Sequence, residues 1–186
     1  MATTAAPYGL KPVKRADGMP YAGAVTEFLI DPAGTTANIF FGTTVKLSGG
    51  YIAPTTTDGS DTTTNNLGTI GVFVGAEYFN AQGQLIFGQY YPTGTTGVVK
   101  AKVVTDPDVL FQAQSAGSIS QAEQGMVTAF NSATQTGSTA TGNSNNSIKA
   151  AVDADGCFTV VEFASTVGDA YTDVLVKINS SHHVLA

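Results

Sequence analysis

Tryptophan is absent from the 186 residues, cysteine and arginine occur once each, and histidine occurs twice. Each scarcity excludes something. Cys157 alone forms no intrachain disulfide, so nothing points to an oxidising compartment, and a small buried apolar residue is the ordinary reading. Arg15 and seven lysines are too few for a nucleic-acid binder, which needs many phosphate contacts. Without Trp the usual sugar-stacking platform is missing. No N-terminal stretch has the uninterrupted apolar core of a signal peptide, and no run approaches the roughly 20 apolar residues of a membrane span. The expectation is a chain made in a cytoplasm, with no membrane and no direct nucleic-acid partner.

Charge is the other shortage. Asp, Glu, Lys and Arg make up 12% of the chain, against about 25% in ordinary soluble domains. Its polar surface must come from Thr, Ser, Asn, Gln and Gly, which cost less to desolvate than ions. Such a surface suits repeated subunit contacts. The charge present is uneven. Residues 1–15 carry Lys11, Lys14 and Arg15 with no acid, whereas residues 16–186 carry five lysines against fourteen acids, a net −9.

Catalytic constellations are also missing. His182 and His183 are adjacent near the C-terminus. Neighbouring strand positions point opposite ways, so a surface tail is expected, not a shared metal. Asp153-Ala154-Asp155-Gly156 resembles the start of a calcium loop. Its sixth position is Phe158 and its twelfth Ala164, where Gly and Glu are required, so a turn is the better reading. Asp106-Pro107-Asp108 also reads as a turn and not as an acid–base pair. Gly68–Gly71 and Gly94–Gly97 lack the lysine of a phosphate loop. The expectation is a non-enzyme with no cofactor, and a hydrolase ranks last.

What is present is a series of short apolar runs between turn signals. Residues 1–23 are punctuated by Pro7, Pro12 and Pro20, which oppose helix. They read as an extended arm with Tyr8, Leu10, Val13 and Tyr21 as apolar handles and Lys11, Lys14 and Arg15 as a basic cluster. These seven are the candidate docking residues, steered by charge toward an acidic neighbour. Deleting residues 2–15 is expected to leave a folded body.

From residue 24 to 186 a single β-rich domain is expected. Ile70–Phe79 and Gln84–Tyr91, joined by Asn80–Gly83, read as a hairpin. Tyr78-Phe79 and Tyr90-Tyr91 within it read as core and strand-edge packing. Thr172, Val174, Val176 and Ile178 alternate with Tyr171, Asp173, Leu175 and Lys177, as in a strand with one buried face. Cys157–Phe163 alternates less cleanly. Ser118–Gln121 has capping-box spacing, and Ala122, Met126 and Phe130 recur at four-residue intervals, so one short helix competes there with an irregular loop. Residues 55–66 form a polar loop. Residues 131–147, almost all Ser, Thr, Asn, Gly and Ala, read as a solvated loop or flexible insertion. The fold class is all-β: an antiparallel β-sandwich or barrel, with a jelly-roll as one candidate topology, an N-terminal arm and at most one short helix.

The opening Ala6-Pro7-Tyr8-Gly9-Leu10-Lys11-Pro12-Val13 resembles the start of small virion structural proteins of marine tailed phages. Ile70–Gly75 followed by Tyr90-Tyr91-Pro92, Asp106–Val109, and Gly168–Val176 are similar to that family too. The resemblance implies a capsid decoration or cement protein on the outer surface of the virion head, with the major capsid protein as partner; a homotrimer at three-fold or quasi-three-fold positions is the simplest arrangement for it. It carries over no catalytic residues. The alternative is a tail-tube or other tail structural subunit, whose β-rich composition would look the same, and behind it a glycan-binding adhesin module.

Overall fold

The computed structural model describes residues 4–185. It contains eleven strands: β1 Lys11–Arg15, β2 Thr26–Ile30, β3 Thr44–Ser48, β4 Tyr51–Pro54, β5 Gly71–Phe79, β6 Leu85–Gly88, β7 Val99–Val104, β8 Val109–Gln114, β9 Val127–Thr128, β10 Phe158–Phe163 and β11 Asp173–Ile178. All ladders between named strands are antiparallel. Sheet I has the order β1-β8-β11-β10-β9, and sheet II the order β2-β7-β5-β3-β4, with β6 pairing only to β5. The architecture is an all-β sandwich.

The chain has two cores. One lies between the sheets and includes Phe111, Val174 and Val176 from sheet I and Val72 and Val104 from sheet II. Phe130 and Phe158 meet in it edge to face, with ring centroids 4.7 Å apart, a favoured aromatic geometry. The second core, with Phe73, Ile30, Val45, Ile52, Tyr91 and Val103, lies on the other face of sheet II. That sheet curls around it, bringing β2 close to β4. β5 is therefore apolar on both faces, Val72 and Val74 toward sheet I and Phe73 toward the inner core.

The expected hairpin forms over β5 and β6, but its second strand ends at Gly88 and Tyr91 pairs with Ile39 instead. Asn80 and Gln84 close it through a 2.9 Å backbone bond, and the Asn80 side chain accepts from the Gln82 and Gln84 N–H groups. β11 buries Val174, Val176 and Ile178 as its alternation requires, but Leu175 on the opposite face is buried as well. The weaker alternation upstream has a structural cause: the β10–β11 register shifts between Val160 and Glu162, so a bulge absorbs the extra residue. The helix does not develop beyond a single 3-10 turn, Gln121–Glu123. Glu123 reaches back to the Ser120 N–H at 2.6 Å. The chain leaves helical geometry at Gln124, which is extended, and Gly125 at φ +86 turns it further; Ala122 is exposed while Met126 and Phe130 enter the core.

Two expectations are corrected. Residues 4–23 do not project as an arm, and residues 1–3 lie outside the described residues. Leu10 is fully buried in the core between the sheets. Its N–H donates to the Gly42 carbonyl, and the Gly9 N–H donates to Asn146. The backbones cross so closely that a Cβ on Gly9, which sits at φ +75, would lie 2.9 Å from the Gly42 oxygen. β1 then pairs with β8 and extends sheet I by one strand. The chain turns back so that Tyr21 donates to the Val13 carbonyl. This return, with Pro12, blunts the sheet edge. The physical reason is the handles themselves: Leu10 and Tyr21 stabilise more by joining this chain's own core than by extending into water.

The second correction concerns residues 131–147, which are not a purely solvated loop. Gly142, Ser144, Asn146 and Ile148 are buried and alternate with less buried neighbours. Gln135 donates to the Thr44 and Thr55 hydroxyls at 2.9 and 2.8 Å and accepts from Asn146. The Asn146 carbonyl side-chain oxygen accepts from the Thr136 N–H, and Ser144 donates to the Thr136 carbonyl. A polar segment goes inside when its groups find partners there.

Candidate docking surface

The seven candidate residues separate on folding. Leu10 is core. Lys14 pairs with Glu162 at 2.7 Å, and Arg15 with Asp106 at 2.6 Å and Asp17 at 3.4 Å, so both cations are largely compensated within the chain. Tyr21 packs against the core, with its hydroxyl donating to the Ala24 carbonyl. Tyr8 is half-buried and donates to Asp173 at 2.9 Å. Burial and the neighbouring carboxylate raise its pKa well above the ordinary phenol range. Only Lys11 and Val13 remain exposed, and Lys11 has no carboxylate within ion-pair distance among the described residues.

The motifs set aside in the sequence fall as follows. Asp106 and Asp108 sit on the turn between the two sheets, and Asp108 pairs with Lys177 at 2.7 Å. The Asp108 carboxyl is held below its usual range by the hydrogen bond from Lys177. Asp153–Gly156 is a turn, closed by the Gly156 N–H donating to the Asp153 carbonyl. Cys157 is buried, and desolvation pushes its thiol pKa far up, which leaves it unreactive.

The histidines are not a surface tail: His182 is 1% exposed and His183 5%. His182 Nδ1 accepts from the Leu67 N–H, and Nε2 lies 3.0 Å from the Asp155 carbonyl. Nδ1 as acceptor and Nε2–H as donor is the tautomer this geometry requires. His183 Nδ1 accepts from the Leu185 N–H, and burial lowers its pKa. No group of three His, Cys, Asp or Glu that could hold a metal occurs among the described residues.

The uncovered surface lies on sheet II. Sheet I covers the part of its outer face that carries Val72, Val74 and Val104 and stops there. Beyond it the face is open. Phe87 is 68% exposed, Val98 65% and Phe79 52%, with Leu29 and Leu85 also exposed. The pairs Phe79↔Leu85 and Glu77↔Phe87 across β5 and β6, and Glu77↔Lys100 and Leu29↔Lys100 across β7, set Phe79, Leu85, Phe87 and Leu29 on one face by register. Glu27, Glu77, Lys100 and Lys102 stand among them.

Where sheet I ends, a stepped cleft follows its edge. One half is lined by Tyr8, Lys11 and Gln112 on the sheet I side and by Phe41, Gln89 and Asn143 facing them. The other half runs past Phe41 and Gln89 to Phe87, Gly88 and Lys102, over the β5 bulge at Val74-Gly75. The halves measure about 460 and 540 Å³, within the roughly 300–1,000 Å³ usual for ligand clefts. Gln89 donates to Asn143 at 2.6 Å, which ties the 131–147 loop to β6.

Sequence reasoning located Tyr8 and Lys11 but missed Gln89, Gln112, Asn143 and Lys102. The three amides carry no signal beyond the uncharged polarity they share with most of the surface, and nothing near Lys102 in sequence marks it out from the other lysines. Among known proteins, the chain matches no family model, no curated protein and no solved structure.

Proposed function

We propose that this chain is a decoration protein of a tailed-phage head. It would bind the outer capsid surface and stabilise contacts between major capsid subunits, acting as a trimer at three-fold positions. The observation that carries this reading is the open half of sheet II, where Leu29, Phe79, Leu85 and Phe87 stand exposed on one face. Contiguous exposed apolar surface marks an interaction site. A sparsely charged surface around it is cheap to desolvate, and many weak contacts on a shell act as one strong attachment. The likeness of residues 6–13 and 168–176 to marine phage virion proteins supplies the location. Docking would use a rigid sheet face with Tyr8, Lys11 and Val13 beside it, in place of a reaching arm.

The test is co-sedimentation of the purified chain with capsids assembled without it, followed by imaging of the decorated shell. Stoichiometric density on the outer surface is expected. An absence of binding would sink the reading, and polymerisation of the pure chain into tubes or rings would replace it with a tail role.

A further inference from the structure

We infer that the step between the sheets is a docking cleft for an extended acidic polypeptide segment of a partner protein. Its biological occupant rests on the decoration reading; its ligand chemistry does not.

The first observation is charge. The body of this chain is strongly acidic, yet no carboxylate lines either half of the cleft. Asp173, behind Tyr8, is engaged by the Tyr8 hydroxyl. Five of the eight cations are ion-paired within the chain. Lys11, Lys46 and Lys102 have no carboxylate within 4 Å among the described residues, and two of these three line the cleft. Lys102 lies over the Phe87 ring, 5.6 Å from its centre, with Glu27 opposite it on β2 but outside ion-pair distance. A groove that keeps two lysines outside any ion pair and no carboxylate in its lining is complementary to a partner's carboxylates.

The second observation is the lining. The cleft crosses the open face of sheet II, over Lys102 of β7, Val74 to Ala76 of β5 and Phe87-Gly88 of β6. A polypeptide carries apolar side chains beside its carboxylates, which a polyanionic sugar lacks. The amides of Gln89, Gln112 and Asn143 add donors and acceptors along the path. Phe41 and Phe87 offer apolar contact to alternate side chains.

The experiment uses the full chain and three octamer probes: a peptide of alternating Glu and Thr, its Lys counterpart, and oligogalacturonate. Calorimetry and NMR shift mapping read the result. The Glu peptide should bind, shift Lys11, Gly88 and Gln89, and weaken as salt rises. K11E/K102E should weaken it by at least about tenfold, and K46E, with the same kind of charge change outside the cleft, should leave it unaltered. Both lysines are free of intrachain ion pairs, so the variants should fold, and circular dichroism checks this. Equal binding of the Lys peptide, an unweakened double variant, or binding of oligogalacturonate alone overturns the inference. Capsid binding separates it from the decoration reading. A double variant that loses the peptide but still decorates capsids removes the cleft's assignment as the capsid-docking site. Peptide binding by a chain that never decorates capsids leaves the cleft standing and removes the decoration reading.

Discussion

The 131–147 loop and the tip of the β5–β6 hairpin invert the usual relation between polarity and burial. The loop is among the most polar stretches of the chain, yet it places Ser144 and Asn146 in the interior. The hairpin tip is apolar, yet Phe79, Leu85 and Phe87 face solvent. Burial follows from satisfied hydrogen bonds in the first case and from the reach of sheet I in the second. Polar groups with partners are inexpensive to bury, whereas an apolar face that nothing in the chain covers is available to something outside it.

The comparison can be broken most severely at the residues the loop rests on. Deleting residues 2–15 removes Leu10, β1 and the Gly9–Asn146 bond. Burying leucine alone is worth about 2–5 kcal/mol, a large part of a marginal total, so the truncated chain should unfold cooperatively at far lower urea or not fold at all. A body of near-native stability would restore the detachable arm. Next in size, Asn146→Leu leaves Gln135 and the Thr136 N–H without their partner and should cost about 2–4 kcal/mol in urea unfolding. A neutral result would mean the network does not hold the loop.

A third effect depends on pH. Burial lowers the His183 pKa in the folded chain, so the unfolded chain binds the proton more readily. Its contribution is intact above the unfolded value of about 6.5 and is lost as the pH falls through the folded value. His183→Asn should flatten the fall in melting temperature between pH 7 and 5, and an unchanged slope would assign it elsewhere.

Smaller still, Phe87→Ser should change stability by less than about 0.5 kcal/mol while reducing capsid decoration; a large loss of stability would show that the hairpin tip is core after all. A last effect is at Tyr91, whose buried hydroxyl finds no hydrogen-bond partner among the described residues, unlike the loop's amides. Tyr91→Phe should be neutral or stabilising by up to about 1 kcal/mol, and a clear destabilisation would reveal a partner for that hydroxyl.

Much of the fold was legible because strands announce themselves locally. The alternation at 172–178 and the Asn80–Gly83 turn depend on neighbours in sequence, and both formed where expected. The same local logic misplaced His182 and His183, because nothing within a few residues announces the Leu67 N–H and the Asp155 carbonyl that hold His182. It also read Leu10 and Tyr21 as handles for another protein, since an apolar residue does not encode whose core it enters. Of the docking surface, Tyr8 and Lys11 were visible as parts of a basic, aromatic start. Lys102 was not, because its lack of an ion-pair partner is a property of the fold.

By itself, then, the sequence determined a β-rich chain with short strands, sparse charge and no recognisable catalytic constellation. Pattern and composition act over a few residues and carry that much. Only the tertiary structure decided which apolar residues were left outside, which polar ones were taken in and which lysines went unpaired. Those outcomes depend on where sheet I stops over sheet II, and the two sheets are tied by contacts between segments more than a hundred residues apart, such as Thr69 with His182 and Asn66 with Ser181.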